Sequence, residues 1–120
     1  MRRRRQRPSG VGDGQGAVGA NAYLRTLPYV DPNRIGIIGW SCAGSAALLV
    51  SNAALASNFG ASADSFRAAV AFYPVYCGYL VQHSADARKP LFILMGENDD
   101  WANPNMCAQA TQATRQTGSP

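Results

Sequence analysis

The sequence predicts an α/β fold built on a parallel sheet. Three short apolar segments, at 34–40, 67–73 and 90–95, show no alternation of polar and apolar residues. This pattern is typical of strands that are buried on both faces of such a sheet. Segments of helical composition precede the first strand, separate the first from the second, and follow the third, which gives an alternation of strands and helices along the chain. We therefore expect three parallel strands with flanking helices, and sheet edges that require neighbours.

Turn residues and apolar spacing divide the rest of the chain. Residues 1–12 are predicted to form a flexible, basic and glycine-rich tail, and residues 13–120 the domain. Helices are predicted at 13–27, 41–57 and 104–115. Residues 75–89 are expected to be irregular, and residues 97–103 to form a polar loop.

Basic residues are concentrated at the N-terminus. Of the 11 arginines and lysines, five lie in the first seven positions. The remainder of the chain has six basic residues against seven acidic ones, a net charge of about −1. An arginine run can bind nucleic acid through its phosphates. However, no aromatic residue lies among these arginines and no groove-reading module follows them, which argues against nucleic acid as a partner.

The sequence offers little support for a metal, cofactor or membrane function. Its three cysteines and single histidine form no CxxC or Cys/His cluster with the spacing of metal ligands. No apolar run reaches the roughly 18 residues of a membrane span. The residues after Arg7 do not form the apolar core of an export signal. We expect no metal, cofactor or membrane partner, and the cytoplasm is the default compartment.

The segment RIGIIGWSCAGSAALL combines a buried strand, a tight turn and a helix. In a G-x-S-x-G nucleophile elbow, the serine lies on a strained strand-to-helix turn that exposes its hydroxyl. Gly39 and Ser41 match this pattern, whereas the second small residue is Ala43, with Gly44 directly after it. We predict that Ser41 is a catalytic nucleophile and that the N–H of Cys42 donates to the oxyanion.

Two other interpretations of this turn stay open. Ser41 could be only a helix N-cap, for which serine is a favoured residue. The thiol of Cys42 would be an intrinsically stronger nucleophile. Choosing Cys42, however, places the bulky Trp40 where the first glycine of the pattern should stand. The small residues on both sides of Ser41 favour the serine.

A loop of carboxylates follows the third predicted strand. The run LFILMGENDDW places Glu97, Asp99 and Asp100 directly after that strand. In an α/β-hydrolase the triad runs serine, acid, histidine along the chain, and the acid lies in such a loop. The same carboxylates could instead cap the helix that follows. The residues alone do not decide between these roles.

Three blocks of the sequence resemble the dienelactone hydrolase family of α/β-hydrolases. They are DPNRIGIIGWSCAGSAAL, FRAAVAFYPVYCG and KPLFILMGENDDW, and the resemblance extends over about residues 13–115. It implies a partial α/β-hydrolase fold and hydrolysis of a small ester or lactone without a cofactor. The family pattern G-x-x-D after the strand gives Gly96 and Asp99, which implies that Asp99 is the acid. Serine in the GWSxGG pattern of some members matches Ser41.

The histidine of this family follows the acid. Here no histidine follows Asp99, and the single one, His83, precedes it, so a surface-loop residue is its expected role. In subtilisin, loss of the serine or the histidine lowers turnover by about a millionfold. We therefore expect this chain by itself to hydrolyse esters only at background rates. The alternative is a non-catalytic α/β domain, or a truncated product, that binds a partner through exposed sheet edges.

One cysteine follows the second predicted strand, and another follows the loop of carboxylates after the third strand, which we call the acid loop. Because adjacent parallel strands end at the same edge of a sheet, Cys77 and Cys107 are expected to lie close enough to bridge in an oxidising compartment. The alternative is a pair of small buried thiols.

Overall fold

The computed structural model describes residues 9–61, 65–82 and 89–116. The N-terminal arginine run and His83 lie outside these residues, and their predicted roles stay predictions. The predicted fold class is confirmed, since three parallel strands form one open sheet with flanking helices. None of the described helices is both long enough and apolar enough to cross a membrane.

Strands and helices alternate along the chain, as predicted. In order, they are α1 (Ser9–Leu24), β1 (Gly36–Trp40), α2 (Cys42–Ser51), α3 (Ala53–Ala56), a 3-10 turn (Ser57–Phe59), β2 (Ala68–Phe72), α4 (Cys77–Gln82), β3 (Leu91–Leu94) and α5 (Pro104–Gln116).

The three strands lie in the order β1-β2-β3, and both pairs are parallel. Trp40 is paired with Phe72, and Phe72 with Leu94. Each of these residues is the last of its strand, so the three strands end level with one another. We call this end of the sheet the carboxyl edge.

One face of the sheet is covered by helices. Successive side chains of a strand point to opposite faces. Ile37 and Ala71 face the helices and pack into the apolar core. α2 crosses this face, and its residues from Gly44 to Ser51 are all buried. A helix that is apolar on every side belongs in the interior, and burial of α2 fixes the position of Ser41 at its N-terminal end.

The other face of the sheet contradicts the prediction that each strand is buried on both faces. Ile38, Trp40 and Phe92 are all more than half exposed. We call the surface formed by Ile38, Trp40, Val70, Phe72 and Phe92 the open face. The strands are apolar on both sides, but the described helices form only one covering layer.

The helix predicted at 41–57 is interrupted at Asn52. This buried residue has an extended backbone, with φ −85° and ψ 126°, which ends α2. Its side-chain Oδ1 accepts a hydrogen bond from the N–H of Leu55 at 3.2 Å. Asn52 therefore ends one helix and starts the next, which is a role that amide side chains favour at helix starts.

α1 begins four residues before its predicted start at residue 13 and ends at Leu24. It packs against α2, and the buried Asn21 side chain donates a hydrogen bond to the carbonyl of Ser65. Tertiary contacts of this kind override the low helix propensity of its glycines.

The prediction that residues 75–89 are irregular was wrong for α4. Cys77 and Leu80 lie three positions apart on one side of this short helix and are both buried, where α4 packs against α5. Six residues are too few for apolar spacing to indicate a helix.

Candidate active site

Ser41 forms the turn between β1 and α2. Its backbone has φ 54° and ψ −120°, which is a conformation that residues other than glycine rarely adopt. Such a conformation costs on the order of 1–3 kcal/mol and persists only where the surrounding structure enforces it. The N–H of Ser41 donates to the carbonyl of Phe72 at 3.0 Å, and the side chain makes no cap hydrogen bond to α2. The residue is exposed, as a nucleophile at a strand-to-helix turn must be.

Two glycines allow this turn to close. A Cβ atom on Gly39 would lie 2.1 Å from the carbonyl oxygen of Ala43, and one on Gly44 would lie 2.6 Å from the carbonyl oxygen of Phe72. Both distances are far below van der Waals contact. Ala43 itself is exposed, so its methyl group is tolerated. The departure from G-x-S-x-G is therefore explained, because the close approach to the neighbouring strand occurs at Gly44.

Cys42 is the first residue of α2 and is half-buried. The N-terminal end of a helix carries partial positive charge, which favours an anion beside it. The strained turn residue is Ser41, whereas Cys42 already belongs to the helix. Trp40, the last residue of β1, stacks on Phe72 with ring centroids 5.1 Å apart. The geometry of an elbow therefore belongs to the serine.

The acid loop begins directly after β3 and is held by Asp99. Its Oδ1 accepts hydrogen bonds from the N–H groups of Trp101 and Ala102, each at 2.9 Å. The N-terminus of α5 is capped by a different residue, Asn103, whose Oδ1 accepts from Asn105 and Met106. Asp99 is half-buried, and because its bonds go to residues before the start of α5, it is not the cap of that helix.

The other two carboxylates of the loop are more exposed than Asp99. Glu97 and Asp100 both lie on the surface. Neither side chain makes any of the loop hydrogen bonds that fix Asp99. Among the three candidates, Asp99 is the one with an orientation set by the backbone.

Ser41 and the acid loop lie at the same edge of the sheet. Because β1, β2 and β3 are parallel and end level, Ser41 and Met95 each follow directly on their strands at the carboxyl edge. Neighbouring strands are about 4.8 Å apart, so the starts of the two loops are separated by roughly 10 Å across β2. Asp99 lies four residues further along the second loop.

A disulfide joins Cys77 to Cys107, as predicted, with an S–S distance of 2.04 Å. It connects α4, which follows β2, to α5, which follows the acid loop. Disulfides persist mainly in oxidising compartments, and the predicted cytoplasmic location stays a prediction. Within the described ranges, no group of three or more His, Cys, Asp or Glu residues could hold a metal ion.

Two further residues at the carboxyl edge were not singled out from the sequence. Tyr73 directly follows β2, is exposed, and has the second positive φ of a residue other than glycine, at 37°. Ser45, on the first turn of α2, is fully buried and bonds to the segment after Tyr73. Nothing in the sequence marks either residue. A bulky residue before proline normally adopts extended backbone, so a positive φ was not expected at Tyr73, and a serine within a helix is common.

Comparisons with known proteins agree with this geometry. A crystal structure from Bacteroides ovatus, described as a dipeptidyl aminopeptidase IV, superposes with a TM-score of 0.72 at 22% sequence identity. The match covers 95% of this chain but only 18% of that protein, so the likeness concerns the fold of a small part of it. No curated protein matches the sequence. Residues 5–120 match the dienelactone hydrolase family. Because this match extends over nearly the whole chain, the chain belongs to the dienelactone hydrolase family.

Proposed function

We propose that this chain carries the nucleophile and the acid of a hydrolase that acts on small esters or lactones. Ser41 is the nucleophile, the N–H of Cys42 donates to the oxyanion, and Asp99 orients a histidine. The observation that supports this assignment most strongly is the strained backbone of Ser41, with φ 54° and ψ −120° between a strand of the sheet and a buried helix. Strain of this kind is concentrated at active sites.

The reaction divides into acylation and deacylation. The Ser41 oxygen attacks the carbonyl carbon of the substrate while a base takes the hydroxyl proton. The tetrahedral oxyanion is stabilised at the N-terminal end of α2, and removing one such donor typically costs about 2.7–4 kcal/mol. The carbon–oxygen bond of the ester then breaks, and the base returns the proton to the departing alkoxide. Water, deprotonated by the same base, attacks the acyl-serine, and the bond between the acyl carbon and the Ser41 oxygen breaks as the base returns the proton to that oxygen and the acid is released.

The base in this scheme is a histidine that Asp99 orients. The sequence has no histidine after Asp99, and His83 precedes it. We therefore propose that the chain alone turns over esters at background rates, because a serine hydroxyl without a base is a weak nucleophile. Imidazole added to the solution supplies the same chemical group without the covalent tether.

The test measures imidazole-dependent reaction of Ser41. The chain is incubated with a fluorophosphonate probe, with and without imidazole, and the labelled peptide is identified by mass spectrometry. Hydrolysis of an aryl ester is followed in parallel, with the rate of imidazole alone subtracted. We expect imidazole-dependent labelling that disappears in Ser41→Ala and persists in Ser57→Ala, a matched change of another exposed serine.

Two results would contradict the proposal. Turnover without imidazole that is lost in Ser41→Ala would show that the chain already contains a working base. Equal labelling of the unsubstituted chain and Ser41→Ala, with imidazole present, would show that Ser41 is not the nucleophile.

A second candidate function is binding of a partner through the sheet. The observation that favours it is the open face, where Ile38, Trp40 and Phe92 are exposed together. Contiguous apolar patches of this kind often mark interaction sites. If the chain is only a binding module, imidazole does not promote labelling of Ser41. The same probe experiment therefore separates the two functions.

A further inference from the structure

Ser45 connects the nucleophile turn to the segment that follows β2. Its side chain is completely buried on the first turn of α2. The hydroxyl oxygen accepts a hydrogen bond from the N–H of Val75 at 2.8 Å, across 30 positions of sequence. The same hydroxyl donates to the carbonyl of Ser41 at 3.4 Å, a longer and weaker bond.

The bond to Val75 is not needed by the helix. A serine hydroxyl within a helix commonly donates to the carbonyl four residues earlier. That habit explains the bond to Ser41 but not the bond to Val75. The N–H of Val75 belongs to another element. The bond is partly buried, and Ser45 supplies the acceptor from α2.

The segment held by Ser45 includes the second strained residue of the carboxyl edge. The N–H of Tyr73 donates to the carbonyl of Leu94 at 2.7 Å, Pro74 is buried and has no N–H, and the N–H of Val75 donates to Ser45. Both backbone donors of this segment are thus engaged. These bonds fix Tyr73 next to Ser41, since Trp40 and Phe72, the residues just before them, are paired in the sheet.

We propose that Ser45 is a positioning residue for Ser41. This role rests on the proposed function, because it concerns the reactivity of the nucleophile. By bonding to the carbonyl of Ser41 and to Val75, Ser45 holds the strained turn in register with the Tyr73–Val75 segment. Without the hydroxyl, the turn populates its reactive conformation less often while the sheet and helices remain.

The test compares Ser45→Ala with Ser51→Ala. Ser51 is a matched control, because it is also a buried serine of α2, and its hydroxyl donates only to Leu48 within the helix, at 2.8 Å. The rate of fluorophosphonate labelling at Ser41 is measured with imidazole present and corrected for the folded fraction. We expect the rate to fall about tenfold in Ser45→Ala and to stay within about twofold in Ser51→Ala, since small misplacements of reacting groups lower rates steeply.

Two additional measurements distinguish positioning from general stability. Ser45→Thr retains the hydroxyl, and we expect it to label faster than Ser45→Ala. Hydrogen exchange of the Val75 amide should accelerate in Ser45→Ala but not in Ser51→Ala. Together these results would link the lost rate to the Ser45–Val75 bond.

The outcomes separate failure of this inference from failure of the proposed function. If the unsubstituted chain labels at Ser41 and the two alanine variants label equally fast, the role of Ser45 is wrong and the proposed function stands. If the unsubstituted chain does not label with imidazole, the proposed function is wrong, and the role of Ser45 falls with it. Accelerated exchange at Val75 with an unchanged labelling rate would make Ser45 structural only.

Discussion

The N–H of Ser41 donates to the carbonyl of Phe72 at 3.0 Å, one residue beyond the last paired residue of β1. The bonding between β1 and β2 thus continues into the turn at Ser41. Immediately before it, the rings of Trp40 and Phe72 stack with planes 10° apart. A bond and an aromatic pair of this kind stabilise the sheet by roughly 1 kcal/mol each. This stabilisation offsets the backbone strain of Ser41, which a change in the conformation of the turn would otherwise relieve.

Gly39→Ala should prevent the turn from closing. The added methyl group would overlap the backbone carbonyl of Ala43, which cannot move without displacing α2. Overpacking usually costs about 1–3 kcal/mol, and we expect the upper end of this range or more from a backbone overlap. Urea unfolding measures the loss. Gly19→Ala is the control, since no atom lies near its added Cβ in α1, and it should stabilise the protein by about 0.5–1 kcal/mol. Equal stability of the two variants would contradict the close approach at Gly39.

Asp99→Asn should separate the charge of the acid from its structural role. The amide oxygen of asparagine can still accept from Trp101 and Ala102, so we expect unfolding free energy to change by less than about 1 kcal/mol. The rate of imidazole-dependent labelling of Ser41 should fall about tenfold. This is less than the hundredfold or more that a positioned acid–base side chain contributes to a rate, because the imidazole here is not tethered to the chain. Asp100→Asn, at an exposed position, is the control. The same loss of rate in both variants would show that Asp99 is no more important for the reaction than its exposed neighbour.

The disulfide predicts a specific thiol count. In denaturant without reductant, a maleimide should label only Cys42, and after reduction it should label all three cysteines. Because the bond spans a sequence separation of 30 residues, its loss should lower the unfolding free energy by about 3–4 kcal/mol in the chain-entropy account. The double change Cys77→Ser and Cys107→Ser measures this loss, and Cys42→Ser serves as the control. Three reactive thiols before reduction would exclude the bridge.

Phe92→Ser should reduce apolar exposure with little effect on stability. The Phe92 side chain is 62% exposed on the open face, so its truncation should cost less than about 1 kcal/mol. We expect weaker fluorescence of a hydrophobic dye and less self-association in sedimentation. Tyr29→Ser is the control, because Tyr29 is 82% exposed but does not belong to the open face. An equal decrease in dye binding for both variants would show that the open face is not a distinct apolar surface.

Much of the carboxyl edge could be predicted because its signals are local. The strand, the turn at Ser41 and the start of α2 are consecutive in sequence, and small residues flank the serine for a steric reason. The proximity of Cys77 and Cys107 followed from the parallel order of the strands alone. α4 could not be predicted, because its two buried residues, Cys77 and Leu80, are buried where α4 packs against the distant helix α5.

The amino-acid sequence by itself determined the alternation of strands and helices, the turn at Ser41 and the carboxylates that follow β3. These depend on apolar spacing and on backbone preferences that act over a few residues. Only the tertiary structure decided that Gly44, rather than Ala43, must be small, that Ser45 bonds to Val75, and that one face of the sheet is open. Each of these features depends on a contact, or the lack of one, with a segment that is distant in sequence. Such long-range contacts produce no local or periodic pattern from which they could be predicted.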